Sequence, residues 1–263
     1  IAEDKEKNIW LATSGGGLCK YDEHNLFIFN KENGLGSDHI YTLLVDSHGR
    51  VWMGTWQSDA ICYNGNTITK YATDQGLGAE TVLTIFEDKQ QNIWIGTYGG
   101  GVSKLIFDND LNAESITTYS TSSGLCDNRV VDIIELSDGR MAFATNGGGI
   151  SFFDGENFEN ITTSEGLHSN LIWSLFEDSR KRIWIGSWGD GSSVFNGREF
   201  IRLSDENVLQ NNVVRKFIEL ERDTFLIGTY GGGITELVLS DKHEAKYRHI
   251  DKKSGLSHDR ILS

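Results

Sequence analysis

The chain has no proline, only three cysteines and no long apolar run in its 263 residues. Cys19, Cys62 and Cys126 show neither paired nor metal-like spacing, so the sequence predicts neither a disulfide framework nor a zinc site. No apolar run approaches the ~18 residues of a membrane-spanning helix, so this segment is not expected to insert into a membrane. The 30 glycines, set between β-type residues, instead predict many short strands joined by tight turns.

Basic residues are also scarce, because 24 Lys and Arg stand against 38 Asp and Glu, and the net charge is −14. Nucleic-acid binding depends on neutralising phosphates, so this balance argues against a DNA or RNA partner. It argues equally against an anionic membrane surface. The chain begins at Ile1 without an initiator methionine or a signal peptide and ends at Ser263, which predicts an excised piece of a longer polypeptide.

A five-residue motif, ideally Ile-Trp-Ile-Gly-Thr, recurs six times. The fourth residue of the motif is Ala12, Gly54, Gly96, Ala144, Gly186 or Gly228. Each copy lies among four short β-type runs with Gly, Asn and Asp between them, which predicts a four-stranded antiparallel meander. Radially placed copies bury one another's apolar faces, so we predict an all-β propeller of six four-stranded blades. A β-solenoid is the structural alternative, although its repeats are usually much shorter.

The spacing of the motif also predicts the domain organisation. Residues 1–263 are expected to form a single β-propeller domain, because successive motifs lie 42 or 48 residues apart throughout. Residues 260–263 align with the first half of an inner strand and residues 1–4 with its second half. We therefore expect the two termini to meet in one inner strand. Part of a seven-bladed propeller would show the same sequence, and this alternative stays open.

The repeats resemble the two-component regulator propeller repeat family over almost the whole chain. The third repeat shows the family pattern as Gly76-Leu77, an inner strand ending in Glu87-Asp88, then the motif at residues 93–97 and Gly99-Gly100-Gly101. The resemblance implies the periplasmic sensor region of an inner-membrane hybrid histidine kinase, with the remainder of that kinase as partner and a homodimer in the full-length protein. It also implies the sensing of polysaccharide breakdown products, and some relatives are coupled to diguanylate cyclases.

Departures from the family pattern are confined to a few positions. The fourth repeat has Ala142 in place of the motif tryptophan, and Leu136 and Leu220 replace the turn aspartate in the fourth and sixth repeats. Family propellers usually have seven blades, so six copies are compatible with a partial set. The resemblance supplies no kinase, receiver, membrane helix or immunoglobulin-like module.

One set of candidate ligand-binding residues follows the motif directly. It consists of Trp56, Tyr98, Trp188 and Tyr230. Strands alternate in direction, so these loops share one end of the blades, and aromatic side chains there can stack on sugar faces. The structural interpretation is that each aromatic packs over a neighbouring turn, as repeated residues usually do.

A second set departs from the repeat within the inner strands, which border the central channel of a propeller. It consists of Asp132, Trp173, Arg215 and Lys216. A mixed acidic and basic site beside an indole suits a polar, anionic oligosaccharide, so we expect a carbohydrate or other small polar ligand here or at the loop face. A structural ion pair across the channel is the alternative.

The recurring side chains are assigned to the fold rather than to catalysis. Trp10, Trp52, Trp94 and Trp184 are expected to fill the space between sheets, and the turn aspartates Asp4, Asp46, Asp88 and Asp178 to bond their own turns. No Walker loop, His-Glu-x-x-His or Gly-x-Ser-x-Gly elbow is present, so we expect no catalysis, no cofactor and no metal. The alternatives are a propeller lyase resembling the streptogramin lyases, with His168 or His258 near an acid, and a protein-interaction scaffold.

Overall fold

The computed structural model describes residues 1–204, 208–239 and 245–262. Within these ranges the chain forms 24 β-strands, β1 to β24, together with single-turn 3₁₀ helices. Each set of four consecutive strands forms one antiparallel sheet in simple sequential order, here called blades 1 to 6. The predicted six four-stranded units are therefore confirmed. The chain consists of two compact units, Ile1–Ile133 (unit 1) and Ile134–Ser263 (unit 2).

The strands of the first three blades are two to seven residues long. Blade 1 contains β1 Ala2–Glu3, β2 Ile9–Ala12, β3 Leu18–Tyr21 and β4 Leu26–Phe29. Blade 2 contains β5 Ile40–Val45, β6 Val51–Thr55, β7 Ala60–Tyr63 and β8 Ile68–Tyr71. Blade 3 contains β9 Val82–Glu87, β10 Ile93–Thr97, β11 Val102–Phe107 and β12 Ala113–Tyr119.

The remaining blades repeat the same order. Blade 4 contains β13 Val130–Glu135, β14 Met141–Thr145, β15 Gly149–Phe153 and β16 Phe158–Ile161. Blade 5 contains β17 Ile172–Glu177, β18 Ile183–Ser187, β19 Ser192–Phe195 and β20 Phe200–Leu203. Blade 6 contains β21 Val214–Glu221, β22 Thr224–Thr229, β23 Ile234–Leu239 and β24 Ala245–Ile250.

The five-residue motif forms the second strand of each blade, and in blades 2 to 5 all five of its residues are buried. Its glycine allows the next inner strand to approach closely. A Cβ atom on Gly96 would lie 2.6 Å from Thr84 Cγ2 and 2.9 Å from Val130 Cγ1. In blade 3 glycine is therefore a packing requirement, since a Cβ atom there would displace a neighbouring strand, whereas the first and fourth repeats accommodate Ala12 and Ala144 at this position.

The Gly-Leu step ends a single 3₁₀ turn that connects one blade to the next. Gly76 has φ +107°, a left-handed conformation that favours glycine, and the following Leu77 is buried. In the fifth repeat the sequence has Asn207-Val208 in place of this Gly-Leu step. Asn207 lies outside the described residues, whereas its neighbour Val208 is buried like the leucine of the other repeats.

The two ends of the chain each resemble part of an inner strand. Ala2 and Glu3 pair with Trp10 and Ile9 of β2. The amide of Ile261 donates to the Thr229 carbonyl at 3.0 Å, and Ser263 lies outside the described residues. A single domain whose termini meet in one strand stays a prediction. Nowhere in the described ranges is a helix long and apolar enough to cross a membrane.

Candidate functional site

The motif threonine or serine holds the loop that presents the first set of candidate residues. Thr97 Oγ1 donates to the Gly101 carbonyl at 2.9 Å and accepts from the Gly100 amide at 3.2 Å. Ser187 Oγ makes the same bond to the Gly191 carbonyl. Because the polar groups of the loop are satisfied internally, the aromatic after the motif is directed outward on a rigid frame.

These aromatic side chains remain exposed although they contact one another. Trp188 is 42% exposed, Trp56 41% and Tyr98 53%, while Tyr230 is half-buried. Exposed large aromatics in contact with each other mark recognition surfaces more often than isolated ones do. The contacts between the rings fit the packing interpretation, and their exposed faces fit the binding interpretation.

In unit 2 the two predicted sets converge. The ring centroids of Trp173 and Trp188 lie 5.0 Å apart, and those of Trp188 and Tyr230 lie 6.0 Å apart. The Arg215 guanidinium carbon lies 4.2 Å from the centroid of the Trp173 ring, and that of Arg260 lies 5.0 Å from Tyr230. These five residues, the unit 2 platform, form a continuous aromatic surface bounded by two cations.

Arg215 reaches this position through an irregularity in its strand. The pairing of β21 with β22 shifts register between Val214 and Lys216, so that Arg215 lies in a bulge. Its Nε is buried and has no hydrogen-bond partner, and its Nη2 makes only a long 3.5 Å contact with the Leu262 carbonyl. Desolvation lowers the pKa of the guanidinium, although the nearby Tyr230 phenol acts in the opposite direction. The group nevertheless stays cationic at physiological pH.

Unit 1 contains a similar but smaller aromatic group. Tyr41 stacks on Trp56 with ring centroids 5.4 Å apart, and Trp56 lies 6.5 Å from Tyr98. Arg129 forms an isolated β-bridge with Tyr98 and pairs with Asp127, with 3.2 Å between Arg129 Nε and Asp127 Oδ1. The cation near this group is thus neutralised by a carboxylate, unlike Arg215.

The structure places six of the eight predicted residues in the two aromatic groups. Trp56 and Tyr98 lie in unit 1, and Trp173, Trp188, Arg215 and Tyr230 lie in unit 2. Lys216 is exposed next to Arg215, and it pairs with Gly228. Asp132 belongs to unit 1, is half-buried and accepts from the Ile133 amide, so its share in a common site stays a prediction.

Sequence reasoning did not include Tyr41 and Arg260 among the site residues. Tyr41 occupies the same repeat position as Trp173, and both contact the aromatic that follows the second strand of their own blade. That shared position was a usable signal. Arg260 had no such signal, because its contact with Tyr230 depends on the bridge between those two residues.

The recurring turn aspartates bind the motif tryptophans as well as their own turns. In four blades an aspartate Oδ2 accepts from the indole Nε1–H at 2.8 Å. The pairs are Asp4–Trp10, Asp46–Trp52, Asp88–Trp94 and Asp178–Trp184. All four indoles are buried, as predicted. These carboxylates are therefore structural hydrogen-bond acceptors.

One group within the described residues has the composition of a metal site, namely Asp46, His48 and Glu87. Its carboxylates are already engaged: Asp46 accepts from Arg50 and Trp52, and both Glu87 oxygens accept from Ser47. A cation would have to displace these hydrogen bonds. The group is therefore explained by turn structure.

Comparison with known families supports the identity of the repeats. The family model described as two component regulator propeller matches residues 34–57, 76–99 and 166–189. Three segments of the chain therefore match the two component regulator propeller repeat. The matched segments run from the Gly-Leu step to the aromatic after the motif, so these propeller repeats include Trp56, Tyr98 and Trp188. No curated protein matches the sequence.

Solved structures with the same fold come from different functional classes. The extracellular domain of BT3049 from B. thetaiotaomicron, described as a hybrid two component system, is 24% identical with a TM-score of 0.82, and the match covers 100% of this chain and 35% of that one. PorZ, a surface component of the type-IX secretion system of Porphyromonas gingivalis, is 15% identical with a TM-score of 0.72, covering 98% and 41%. Virginiamycin B lyase from Staphylococcus aureus is 13% identical with a TM-score of 0.67, covering 97% and 84%.

These likenesses confirm the predicted all-β propeller fold class. In its fold the chain is similar to the extracellular domains of hybrid two-component systems. It spans about a third of the length of those structures. The presence of a lyase among the similar folds means that fold alone does not decide between sensing and catalysis.

Proposed function

We propose that this chain is the ligand-sensing propeller of a bacterial two-component sensor of the hybrid histidine kinase type, and that its ligand binds the unit 2 platform. The proposal rests on the propeller repeats and on the similarity to extracellular sensor domains. One observation carries the location: the exposed Trp188 and the half-buried Trp173 form an aromatic surface beside Arg215, whose Nε is buried without a partner.

The chemistry of the platform favours an acidic carbohydrate. Indole and phenol rings present apolar faces that pack against the C–H face of a sugar, each such contact contributing about 0.5–1.5 kcal/mol. A guanidinium that is partly desolvated gains from an anionic acceptor, because charge-assisted hydrogen bonds are about twice as strong as neutral ones. Arg215 and Arg260 concentrate positive charge in a chain whose net charge is −14, so the platform contrasts with the rest of the surface.

The proposed setting follows from the same relatives. We place the propeller in the periplasm, as part of a longer sensor polypeptide anchored in the inner membrane and acting as a homodimer. The extracellular location of the similar hybrid two-component domains supports this setting. No nucleic-acid partner and no catalytic activity are proposed.

The lyase alternative depends on His168 or His258. Desolvation and the nearby Arg202 lower the pKa of His168, which keeps its imidazole neutral at physiological pH and available as a base. Its Nδ1 lies 2.9 Å from Ser193 Oγ, and His258 Nδ1 accepts from the Arg260 amide at 3.0 Å. Neither contact supplies the acid that a lyase needs, so the binding function is preferred.

The test is a thermal-shift and calorimetric screen of the purified chain against acidic and neutral oligosaccharides of matched length. A ligand that binds only the folded state raises the melting temperature as its concentration increases. We expect acidic oligosaccharides to bind and Trp188→Ala to weaken them about 2- to 13-fold, the equivalent of one lost stacking contact. Arg215→Gln is expected to weaken them by about tenfold or more.

Trp56→Ala provides the matched control, because Trp56 occupies the same repeat position but lies in unit 1. We expect it to leave affinity within about twofold. If no oligosaccharide binds, or if binding survives Trp188→Ala and Arg215→Gln together, the proposed site is wrong. Turnover of a bound compound by the wild-type chain would establish the lyase alternative.

A further inference from the structure

A polar cavity lies in unit 1, at the opposite end of the blades from the aromatic loops. It has a volume of about 300 Å³ and is bounded by the β5–β6 turn of blade 2 and by the β9–β10 and β11–β12 turns of blade 3. His48 and Arg50 form one side, and Gln91, Phe107 and Asp108 lie among the residues of the other. None of these residues belongs to the unit 2 platform.

Arg50 is the unusual member of this cavity. It is only 5% exposed, its Nε donates to Asp46 Oδ2 at 2.5 Å, and its guanidinium carbon lies 4.2 Å from the centroid of the Phe107 ring. Its Nη2 is buried and has no hydrogen-bond partner. Buried donors are satisfied in nearly all native structures, so an unpartnered Nη2 on a residue that lines a polar cavity indicates a missing acceptor.

In blades 5 and 6 the arginine that corresponds to Arg50 has an acceptor for its Nη2. Arg182 occupies the position of Arg50, and its Nε also donates to the turn aspartate, Asp178 Oδ2, at 2.6 Å. There, however, Nη2 donates to Asp223 Oδ1 at 2.9 Å, and the other Asp223 oxygen accepts from Arg180. One carboxylate thus joins two side chains of the neighbouring turn.

The corresponding acid is absent from blade 3. Counting back two residues from the start of the motif, Asp223 aligns with Gln91, and the two residues have φ of 67° and 66°. His48 aligns with Arg180, since each lies two residues before its arginine. Blades 2 and 3 therefore keep the conformation and the arginine of blades 5 and 6 but lack the carboxylate.

We propose that this cavity binds a small hydroxylated carboxylate, whose carboxylate takes the position that Asp223 occupies in blade 6. Arg50 Nη2 and the His48 imidazole receive the carboxylate. The side-chain amides of Gln90 and Asn109, which also line the cavity, bind the hydroxyl groups. The Asp108 carboxylate also lines the cavity and is fixed in place by the amides of Asp110 and Asn112. It would repel a second acidic group, so the ligand is limited to one.

The test compares D-gluconate with D-glucitol, which carries a hydroxymethyl group in place of the carboxylate. We expect gluconate to bind the wild-type chain with a Kd on the order of 1 mM, measured by titration calorimetry and thermal shift. Glucitol is expected to bind at least tenfold more weakly, because it cannot accept from Nη2 as an anion.

Gln91→Asp places the missing acid on the chain itself. Asp tolerates this left-handed conformation, as Asp223 demonstrates, so the variant is expected to fold. Its carboxylate should occupy the cavity and weaken gluconate binding at least tenfold. Gln57→Asp is the matched control, since Gln57 has φ 56° and lies in the β6–β7 loop at the other end of blade 2; it should leave gluconate binding unchanged.

Three outcomes would overturn the inference: gluconate does not bind, glucitol binds equally well, or Gln91→Asp binds gluconate like the wild type. The comparison of gluconate with glucitol needs no variant and therefore tests the site even if Gln91→Asp were unstable. Failure here leaves the unit 2 platform untouched, because Trp188→Ala alters the aromatic surface of unit 2 whereas Gln91→Asp alters the cavity of unit 1.

Discussion

The pairing of a turn aspartate with a motif tryptophan makes a quantitative prediction about stability. In blade 3, Asp88 Oδ2 accepts from Trp94 Nε1 at 2.8 Å, while Oδ1 accepts from the amides of Gln90 and Asn92 at 3.0 and 2.8 Å. Trp94 is 2% exposed, so water cannot replace the aspartate at the indole. Asp88→Leu therefore leaves a buried N–H without an acceptor and also weakens the turn.

The magnitude follows from these contacts. A buried donor left unsatisfied costs about 1–3 kcal/mol, and the two turn amides, which water can reach, add about 0.5–1 kcal/mol each. We expect Asp88→Leu to lower the free energy of unfolding by about 2–5 kcal/mol. For a chain of this size, that corresponds to a fall in Tm of roughly 4–20 °C.

A double-mutant cycle separates the indole bond from the turn. Blade 6 shows that the pair can be lost together, because Leu220 and Leu226 occupy the positions of Asp88 and Trp94. Trp94→Leu alone should cost about 2–4 kcal/mol through lost core packing. In the double variant Asp88→Leu/Trp94→Leu the costs should fall short of their sum by about 1–2 kcal/mol, because no indole N–H remains to be satisfied.

Denaturant and thermal unfolding followed by far-UV circular dichroism measure these values. Asp108→Leu is the control, since Asp108 accepts from the amides of its own turn but binds no indole. It lies at an exposed turn and should cause a clearly smaller loss. Additivity of the two leucine substitutions to within about 0.5 kcal/mol would show that the Asp88–Trp94 bond contributes nothing beyond its separate parts.

Two further predictions concern single positions. Burial raises the pKa of the Cys62 thiol to about 12, so at pH 8 only about one thiol in 10⁴ is ionised, and iodoacetamide should label the half-buried Cys19 and Cys126 well before Cys62. Equal labelling rates in the native protein, followed by mass spectrometry, would contradict this. Gly96→Ala should lower Tm by several degrees because its Cβ would lie 2.6 Å from Thr84 Cγ2. Gly99→Ala is the comparison: Gly99 lies at an open turn with positive φ, so backbone strain alone should lower Tm there, and by a smaller amount.

Most of the fold was predictable because each blade repeats one solution to the same packing problem. The motif, the turn aspartate and the Gly-Leu step recur at fixed spacing, and each has one local structural role. The Asp–Trp bond was also accessible in principle: the fourth and sixth repeats lose both residues together, as Leu136 with Ala142 and Leu220 with Leu226. Two side chains that disappear together in the same repeat are expected to contact each other.

The candidate site was predictable only in part, because its contacts join side chains from separate strands and, for Arg215 with Trp173 and Trp188 with Tyr230, from different blades. The sequence separated Trp173 and Trp188 into two different sets, yet their rings lie 5.0 Å apart. Trp173 lies at a register shift between Ile172 and Ser174 of β17, and the sequence does not specify this irregularity. The unpartnered nitrogens of Arg50 and Arg215 were equally inaccessible, since the absence of a partner is a property of the surroundings rather than of the residue.

Arg50 and Arg215 share one physical property, a buried guanidinium nitrogen without a hydrogen-bond partner. The chain holds 38 acidic residues against 24 basic ones, so acids to pair with an arginine are plentiful. In blades 5 and 6 the chain itself provides the acceptor, because the Asp223 carboxylate accepts from Arg182 Nη2. Arg50 and Arg215 keep a buried nitrogen unpaired despite that supply, and an unpaired buried donor is destabilising unless something else accepts from it. An anionic ligand from solution would remove that cost on binding, and this is why both arginines are better explained by recognition than by folding.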